Sequence, residues 1–110
     1  GNNYNTNDGT AKRDFIHVTD LAKAHVNCIN YFKGIQILNL GTGSSTSVLE
    51  LVNTFKKVNN IDIPYIFKEK RSGDIEDSYC VSDKAKEIIK WEANKNIVDM
   101  CKDSYNFKNN

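Results

Sequence analysis

Two arginines and one aspartate are the residues whose types and spacing are best suited to bind a ligand. Arg71 and Asp74 flank a turn glycine directly after the apolar run 61–67, and Arg13 stands just before the apolar run 14–18. A guanidinium group binds phosphate oxygens, and a carboxylate accepts hydrogen bonds from sugar hydroxyls. Because a diphosphate carries about two negative charges, paired arginines would match it. The pattern favours a sugar-nucleotide site, although surface ion pairs are an alternative.

Composition and charge argue against several other classes of protein. The chain has 110 residues, of which 39% are hydrophobic and 26% charged, and its formal net charge is +1. These values are typical of a soluble globular domain. No basic patch dominates, so nucleic acid is not expected as a partner. No apolar run is long enough for a membrane span.

The cysteines and histidines predict neither a disulfide framework nor a metal site. Cys28, Cys80 and Cys101 are odd in number and far apart, so they favour free thiols in a reducing compartment, and we expect the cytoplasm. His17 and His25 have no ligand partner at a suitable spacing. No Ser/His/Asp arrangement is visible either, so the residues indicate a binding half-site without a catalyst.

Apolar periodicity predicts an α/β chain with the order β-α-β-α-β-α-α. Apolar residues at helical spacing predict a first helix that Thr19 or Asp20 caps and that buries Phe32. A Ser-x-x-Glu capping box predicts the start of the second helix, and Asn59-Asn60 predicts its end. The elements that we expect are strands at 14–18, 35–40 and 63–67, and further helices that begin after Ser47, Ser82 and Asn96, the last with Tyr105 or Phe107 facing inward.

Three strands make a thin sheet, so we expect this chain to complete a larger one. Strands that alternate with helices favour parallel neighbours and helices on both faces. The chain supplies too few elements to close such a sheet, and its first ten residues, rich in Asn, Gly and Asp, resemble a loop cut from a longer chain. The missing strands are therefore expected upstream.

The Gly41-Thr42-Gly43 turn between a strand and a helix is only weakly suggestive of dinucleotide binding. The third glycine of a G-x-G-x-x-G loop would fall at Thr46, and no suitable acidic residue ends a following strand at the required distance. We expect a structural turn.

Four segments of the chain resemble, in the correct order, the UDP-glucose 4-epimerase family of extended short-chain dehydrogenase/reductases. Residues 8–25 resemble the family's D-G-T-x-x-R-D-Y-I-H-V-x-D-L-A-x-A-H segment, and 39–50 resemble N-L-G-T-G followed by S-V-L-E. Residues 71–74 are similar to R-x-G-D, and 82–91 to S-K-A followed by Trp. The resemblance covers about the last third of such an enzyme.

The resemblance implies that residues 1–110 are a C-terminal UDP-sugar-binding region whose NAD-binding Rossmann domain is absent from this sequence. Such enzymes interconvert UDP-glucose and UDP-galactose by transient oxidation at C4 with bound NAD, and the full-length protein is expected to be a cytoplasmic homodimer. No tyrosine of this chain has lysine four residues later, so the family's catalytic pair is missing. The chain alone is expected to be inactive, and no residue of it is expected to bind NAD.

The resemblance also assigns roles to individual residues. It implies that Arg13 and Arg71 bind the diphosphate, that Asp74 binds the uridine ribose, and that Ser78 lies beside the sugar. Phe15 replaces the family's usual tyrosine. Small Ser78 stands where relatives carry tyrosine or cysteine, which suggests room for an N-acetylated UDP-hexosamine. Alternatives are another nucleotide-sugar enzyme of the superfamily, such as a dehydratase or decarboxylase, and a non-catalytic fragment that binds UDP-sugar.

Overall fold

The computed structural model describes residues 1–31 and 33–109, which form four helices beside a very small sheet. Phe32, predicted on the buried face of the first helix, lies outside the described residues. No helix in this part of the chain is both long and apolar enough to span a membrane. The elements in chain order are strand β1 (Lys12–Arg13), helix α1 (Val18–Tyr31), strand β2 (Thr46–Ser47), helix α2 (Val48–Asn59), helix α3 (Asp83–Ile89) and helix α4 (Ile97–Asn109).

The sheet is smaller than the sequence predicts and lies elsewhere. Strands β1 and β2 pair antiparallel, with Lys12 opposite Ser47, and a parallel bridge joins Lys12 to Asp77. The first strand therefore precedes the predicted segment 14–18, and its pairing with β2 is not the expected parallel one. A strand forms where a neighbouring segment has unpaired backbone N–H and C=O groups. Strand β1 pairs with β2 and with Asp77.

The predicted strands 35–40 and 63–67 are not strands in the structure. Among the residues described, neither segment has a hydrogen-bonded neighbour strand. In the first segment Ile35 and Ile37 are exposed, at 96% and 83%, whereas Leu38 and Leu40 pack against the core. Side chains that alternate between two faces are typical of strand backbone. The segment thus has the side-chain pattern of a strand without its partner.

Three of the predicted helix ends are confirmed. The Ser47 side chain accepts a hydrogen bond from the backbone N–H of Glu50 at 3.0 Å, as a helix N-cap does. Asn60 ends α2 in the left-handed conformation with φ of 51°. Oδ1 of Asn96 accepts from the N–H of Asp99 at 3.0 Å at the start of α4.

Two predicted caps are wrong. Helix α1 begins at Val18, and its first turn is capped by the ring of His17, whose Nδ1 accepts from the N–H of Thr19 at 3.0 Å. Ser82 precedes α3 but makes no side-chain cap. Its Oγ instead accepts a hydrogen bond from the N–H of Gly41 at 3.0 Å and donates one to the carbonyl of Gly41 at 3.1 Å.

Two pairs of helices form the packed interior. Helices α1 and α3 pack together through a buried cluster of Ala24, Ala85, Ile89 and Trp91. Helices α2 and α4 pack around buried Cys101, and the rings of Phe55 and Tyr105 meet edge to face with centroids 6.0 Å apart. Of the two aromatic residues predicted to face inward from α4, Tyr105 does so, whereas Phe107 is 87% exposed.

The start of α1 joins the two helix pairs. Because Nδ1 of buried His17 accepts a hydrogen bond, Nε2 carries the proton and donates to Asp103 on α4 at 2.8 Å. Asp20 is fully buried, and its carboxylate accepts from the backbone N–H groups of Asn94 and Lys95 at 3.2 and 2.9 Å. Its backbone carbonyl accepts from Nε1 of Trp91 at 2.8 Å. These bonds fix the segment after β1 relative to both helix pairs.

Substitution of Ile89 tests the α1–α3 core. The side chain is fully buried, so Ile89→Ala removes apolar contacts and leaves a cavity, and we expect the free energy of unfolding to fall by about 2–5 kcal/mol. Chemical denaturation of the full-length protein measures it. Phe107→Ala, at an exposed position, is the matched control and should cost less than about 0.5 kcal/mol. Equal losses for the two variants would contradict this assignment of the core.

Candidate functional site

The carboxylate of Asp74 brings together three residues that are distant in sequence. Nη2 of Arg13 donates to Oδ1 of Asp74 at 2.6 Å, and Nη2 of Arg71 donates to Oδ2 at 3.3 Å. The hydroxyl of Tyr4 donates to Oδ2 at 2.9 Å. Three of the four predicted site residues therefore meet at one point. Their assignment to a ligand stays a prediction.

Backbone pairing around β1 explains this convergence. The N–H of Lys12 donates to the carbonyl of Glu76 at 2.8 Å, and the N–H of Ser78 donates to the carbonyl of Lys12 at 3.2 Å. Segment 76–78 therefore runs along β1, which carries Arg13. This pairing brings the preceding turn, with Asp74, back onto β1.

The turn from Arg71 to Asp74 requires its glycine. The N–H of Asp74 donates to the carbonyl of Arg71 at 3.3 Å, and Gly73 between them has φ of +76°. This left-handed conformation is favourable for glycine and strained for most other residues. The turn holds Arg71 and Asp74 on the same side, so both can face Arg13.

The charges of this cluster leave it cationic and open to solvent at one end. Arg13 and Arg71 are the only arginines in the sequence, and both contact the same carboxylate. Asp74 is 17% and Arg13 30% exposed, whereas Arg71 is 85% exposed. The hydrogen bond from Tyr4, together with Arg71 and Arg13, holds the pKa of Asp74 below its usual range, although burial opposes the shift. Asp74 is therefore ionised at neutral pH.

A cleft of about 390 Å³ opens beside the cluster, and both arginines, Asp74 and Tyr4 line it. Within the described residues no group of His, Cys, Asp and Glu side chains could hold a metal ion. The cleft therefore combines two cations with an apolar surface, which suits a ligand that has an anionic part and a flat apolar part. Its apolar wall is made by Phe15, Val48, Leu49, Val52 and Phe67.

Ser78, the fourth predicted residue, lies next to the cleft but does not line it. Its backbone pairs with Lys12, one residue from Arg13, and its side chain is exposed. A sugar in contact with Ser78 would therefore lie outside this cleft. The contact stays a prediction.

Tyr4 is the residue of this cluster that the sequence analysis missed. It lies in a polar segment without periodicity, 70 residues from Asp74. The one signal in the sequence is that Tyr4 is the only aromatic residue among the first ten. An isolated aromatic side chain in such a segment indicates a buried anchor, and Tyr4 is indeed buried.

The Gly41-Thr42-Gly43 turn is a structural turn whose N–H groups are already occupied. The carboxylate of Asp14 accepts from the backbone N–H groups of Thr42, Gly43 and Cys80 at 3.0, 3.0 and 3.2 Å. Although burial opposes the shift, these bonds and the Thr42 hydroxyl hold the pKa of Asp14 below its usual range. The donors that would bind a dinucleotide phosphate are thus taken by a side chain of the chain itself.

Substitution of Asp14 tests this assignment. Asp14→Asn removes the charge and places an NH₂ group among N–H donors, so we expect the free energy of unfolding at neutral pH to fall by about 1–3 kcal/mol. Since the folded-state pKa is depressed, this stability is present above the unfolded-state pKa of about 3.9 and is lost as the pH falls through the folded-state value. Denaturation of the full-length protein between about pH 3 and 7 measures both effects.

Asp62→Asn, at an exposed position, is the control and should change stability much less. An Asp14→Asn variant as stable as the wild type at neutral pH would contradict the structural role of this carboxylate.

Comparison with known proteins identifies the relatives of this chain. Residues 3–41 match the model of the NAD dependent epimerase/dehydratase family. The chain is 43% identical to the UDP-glucose 4-epimerase of Bacillus subtilis, over 98% of this chain and 33% of that protein.

Solved structures agree with this similarity. The chain superposes with a TM-score of 0.93 and 42% identity on the UDP-glucose 4-epimerase of Bifidobacterium longum, solved with NAD⁺ and UDP, covering 99% of this chain and 33% of that one. It superposes with a TM-score of 0.85 and 30% identity on the UDP-Glc/GlcNAc 4-epimerase of Campylobacter jejuni, covering 99% and 34%. These matches confirm the resemblance and the α/β class predicted from the sequence. The chain is thus similar to UDP-glucose 4-epimerases over nearly its whole length, and it spans about a third of the length of these relatives.

Proposed function

We propose that this chain is the C-terminal UDP-sugar-binding region of a UDP-glucose 4-epimerase, an isomerase that interconverts UDP-glucose and UDP-galactose. The observation that carries the proposal is the convergence of Arg13, Arg71 and Asp74 at the mouth of the cleft. The similarity to named UDP-glucose 4-epimerases over nearly the whole chain supports it.

The charges of the cluster suit a nucleoside diphosphate. Two guanidinium groups face one carboxylate, so the cluster carries a net charge of about +1. The Asp74 carboxylate accepts one hydrogen bond from each arginine. A diphosphate can replace it as their partner, because phosphate oxygens accept the same charge-assisted hydrogen bonds. Asp74 is then free to accept hydrogen bonds from ribose hydroxyls.

The apolar wall supplies a place for the uracil base. Val48, Leu49 and Val52 lie on the first turns of α2, and the ring of Phe15 lines the same cleft. A planar base gains from burial against aliphatic and aromatic side chains. Phe15 can pack in this way but offers no hydroxyl, so any polar contact that a tyrosine would make there is lost.

We propose that NAD is bound by a Rossmann domain outside these residues. The glycine turn 41–43 does not fit the cofactor, because its N–H groups are bonded to Asp14. The part of the chain that the structure describes therefore supplies substrate binding, and no chemical step is assigned to it. We propose that the full-length protein is a cytoplasmic homodimer that binds no nucleic acid. The three cysteines of this chain are free thiols, which suits that compartment.

Calorimetric titration of UDP into the full-length protein tests the site. Arg71→Ala should weaken UDP binding by about 10- to 100-fold, because it removes charge-assisted hydrogen bonds. Arg71→Lys should recover only part of the affinity, since an ammonium group lacks the guanidinium fork. Lys84→Ala, on α3 away from the cleft, is the control.

Failure of UDP to bind the wild-type protein, or equal binding by the wild type and Arg71→Ala, would contradict the proposed site. Conversion of UDP-galactose to UDP-glucose by the full-length protein tests the reaction itself. Binding without this conversion would favour another nucleotide-sugar enzyme or a non-catalytic protein.

We also propose that Ser78 sets the size of the sugar that the enzyme accepts. A small side chain leaves room for an N-acetyl group, so the full-length enzyme should turn over both UDP-glucose and UDP-N-acetylglucosamine. Ser78→Tyr should lower turnover of the larger substrate by at least about tenfold and spare UDP-glucose. Ser78→Ala is the matched control and should keep both activities. Undiminished turnover of UDP-N-acetylglucosamine by Ser78→Tyr would contradict this role.

A further inference from the structure

We infer that Tyr4 is a positioning residue of the UDP-sugar site, because its hydroxyl is the one uncharged donor that holds the Asp74 carboxylate in the cluster. This inference rests on the proposed function. The hydroxyl lies 2.9 Å from Oδ2 of Asp74. Tyr4 itself lies in a loop that neither the strand pairing nor the Arg71–Asp74 turn contains.

A bound diphosphate affects the three hydrogen-bond donors to Asp74 differently. Arg13 and Arg71 are cations, so a bound diphosphate competes with Asp74 for both of them. The Tyr4 hydroxyl is neutral, so a diphosphate attracts it less strongly than it attracts the two cations. When the arginines turn to the phosphates, Tyr4 is the donor that keeps Asp74 aimed at the position of the ribose.

Tyr4 is itself held in place from several sides. Its backbone N–H donates to the carbonyl of Gly9 at 2.9 Å, and its carbonyl accepts from the N–H of Thr6 at 2.8 Å. The ring is buried, and Nζ of Lys70 lies 4.3 Å from the ring centroid, which is a cation–π distance. A hydroxyl on so constrained a ring can fix the carboxylate that it contacts.

The protonation states agree with this role. Burial, and then the hydrogen bond to Asp74, raises the pKa of Tyr4, whereas that same hydrogen bond is the main cause that lowers the pKa of Asp74. At neutral pH the phenol is thus a donor and the carboxylate an ionised acceptor. Loss of the hydroxyl shifts the pKa of Asp74 upward. As the pH is lowered, a variant without the hydroxyl should therefore lose ribose binding at a higher pH than the wild type does.

Tyr4→Phe in the full-length protein tests the inference, with UDP, dUDP and inorganic pyrophosphate as probes in calorimetric titrations. We expect UDP affinity to fall about tenfold. We also expect the preference for UDP over dUDP to narrow, because Asp74 no longer presents its oxygens correctly to the ribose hydroxyls. Pyrophosphate affinity should stay within about twofold, since it depends on the arginines. Tyr105→Phe, whose ring packs against Phe55 away from the cleft, is the matched control and should change none of the three.

The outcomes separate this inference from the proposed function. Wild-type protein that does not bind UDP overturns the proposed function, and the inference falls with it. UDP binding that depends on Arg71 but has the same affinity and dUDP discrimination in Tyr4→Phe overturns the inference alone. A Tyr4→Phe variant that loses UDP, dUDP and pyrophosphate equally shows a merely structural role and also overturns it.

Discussion

The carboxylate of Asp74 is the point on which the cluster depends, since its hydrogen bonds join side chains from three segments of the chain. Tyr4 comes from the N-terminal loop, Arg13 from β1, and Arg71 from the turn that also carries Asp74. Two like charges this close repel each other, and an anion that contacts both offsets the repulsion. The Asp74 carboxylate is that anion, so it holds the two cationic side chains together.

The two carboxylates, Asp14 and Asp74, are held by different kinds of hydrogen-bond donor. Asp14 is held mainly by backbone N–H groups of Thr42, Gly43 and Cys80, which cannot turn away without moving the loop itself. Asp74 is held by side chains, and that of Arg71 is largely exposed. Arginine side chains rotate about several bonds at small cost, so Arg71 can change its partner. Carboxylate hydrogen bonds thus fix the loop at Asp14, whereas those at Asp74 can rearrange.

The fold positions this cluster through polar contacts as much as through apolar packing. His17 and Asp20 at the start of α1 bond to Asp103 and to the backbone at Asn94 and Lys95. These contacts hold the segment that follows Arg13 against both helix pairs. The apolar core by itself is small, and several large apolar side chains, Ile35 among them, remain exposed. The described residues therefore leave much apolar surface exposed.

Local chemistry in the sequence determined the caps at Ser47 and Asn96, the stop at Asn60 and the turn around Gly73, because each depends on residues a few positions apart. The types of Arg13, Arg71 and Asp74 also indicated phosphate and sugar chemistry before any contact was known. Only the tertiary structure decided that Tyr4 joins them and that His17 caps α1. It also decided that segments 35–40 and 63–67 have no strand partner among the described residues. The physical reason is that strand pairing and long-range hydrogen bonds depend on which distant groups the packed chain brings within 3 Å or so, and sequence spacing carries no information about that distance.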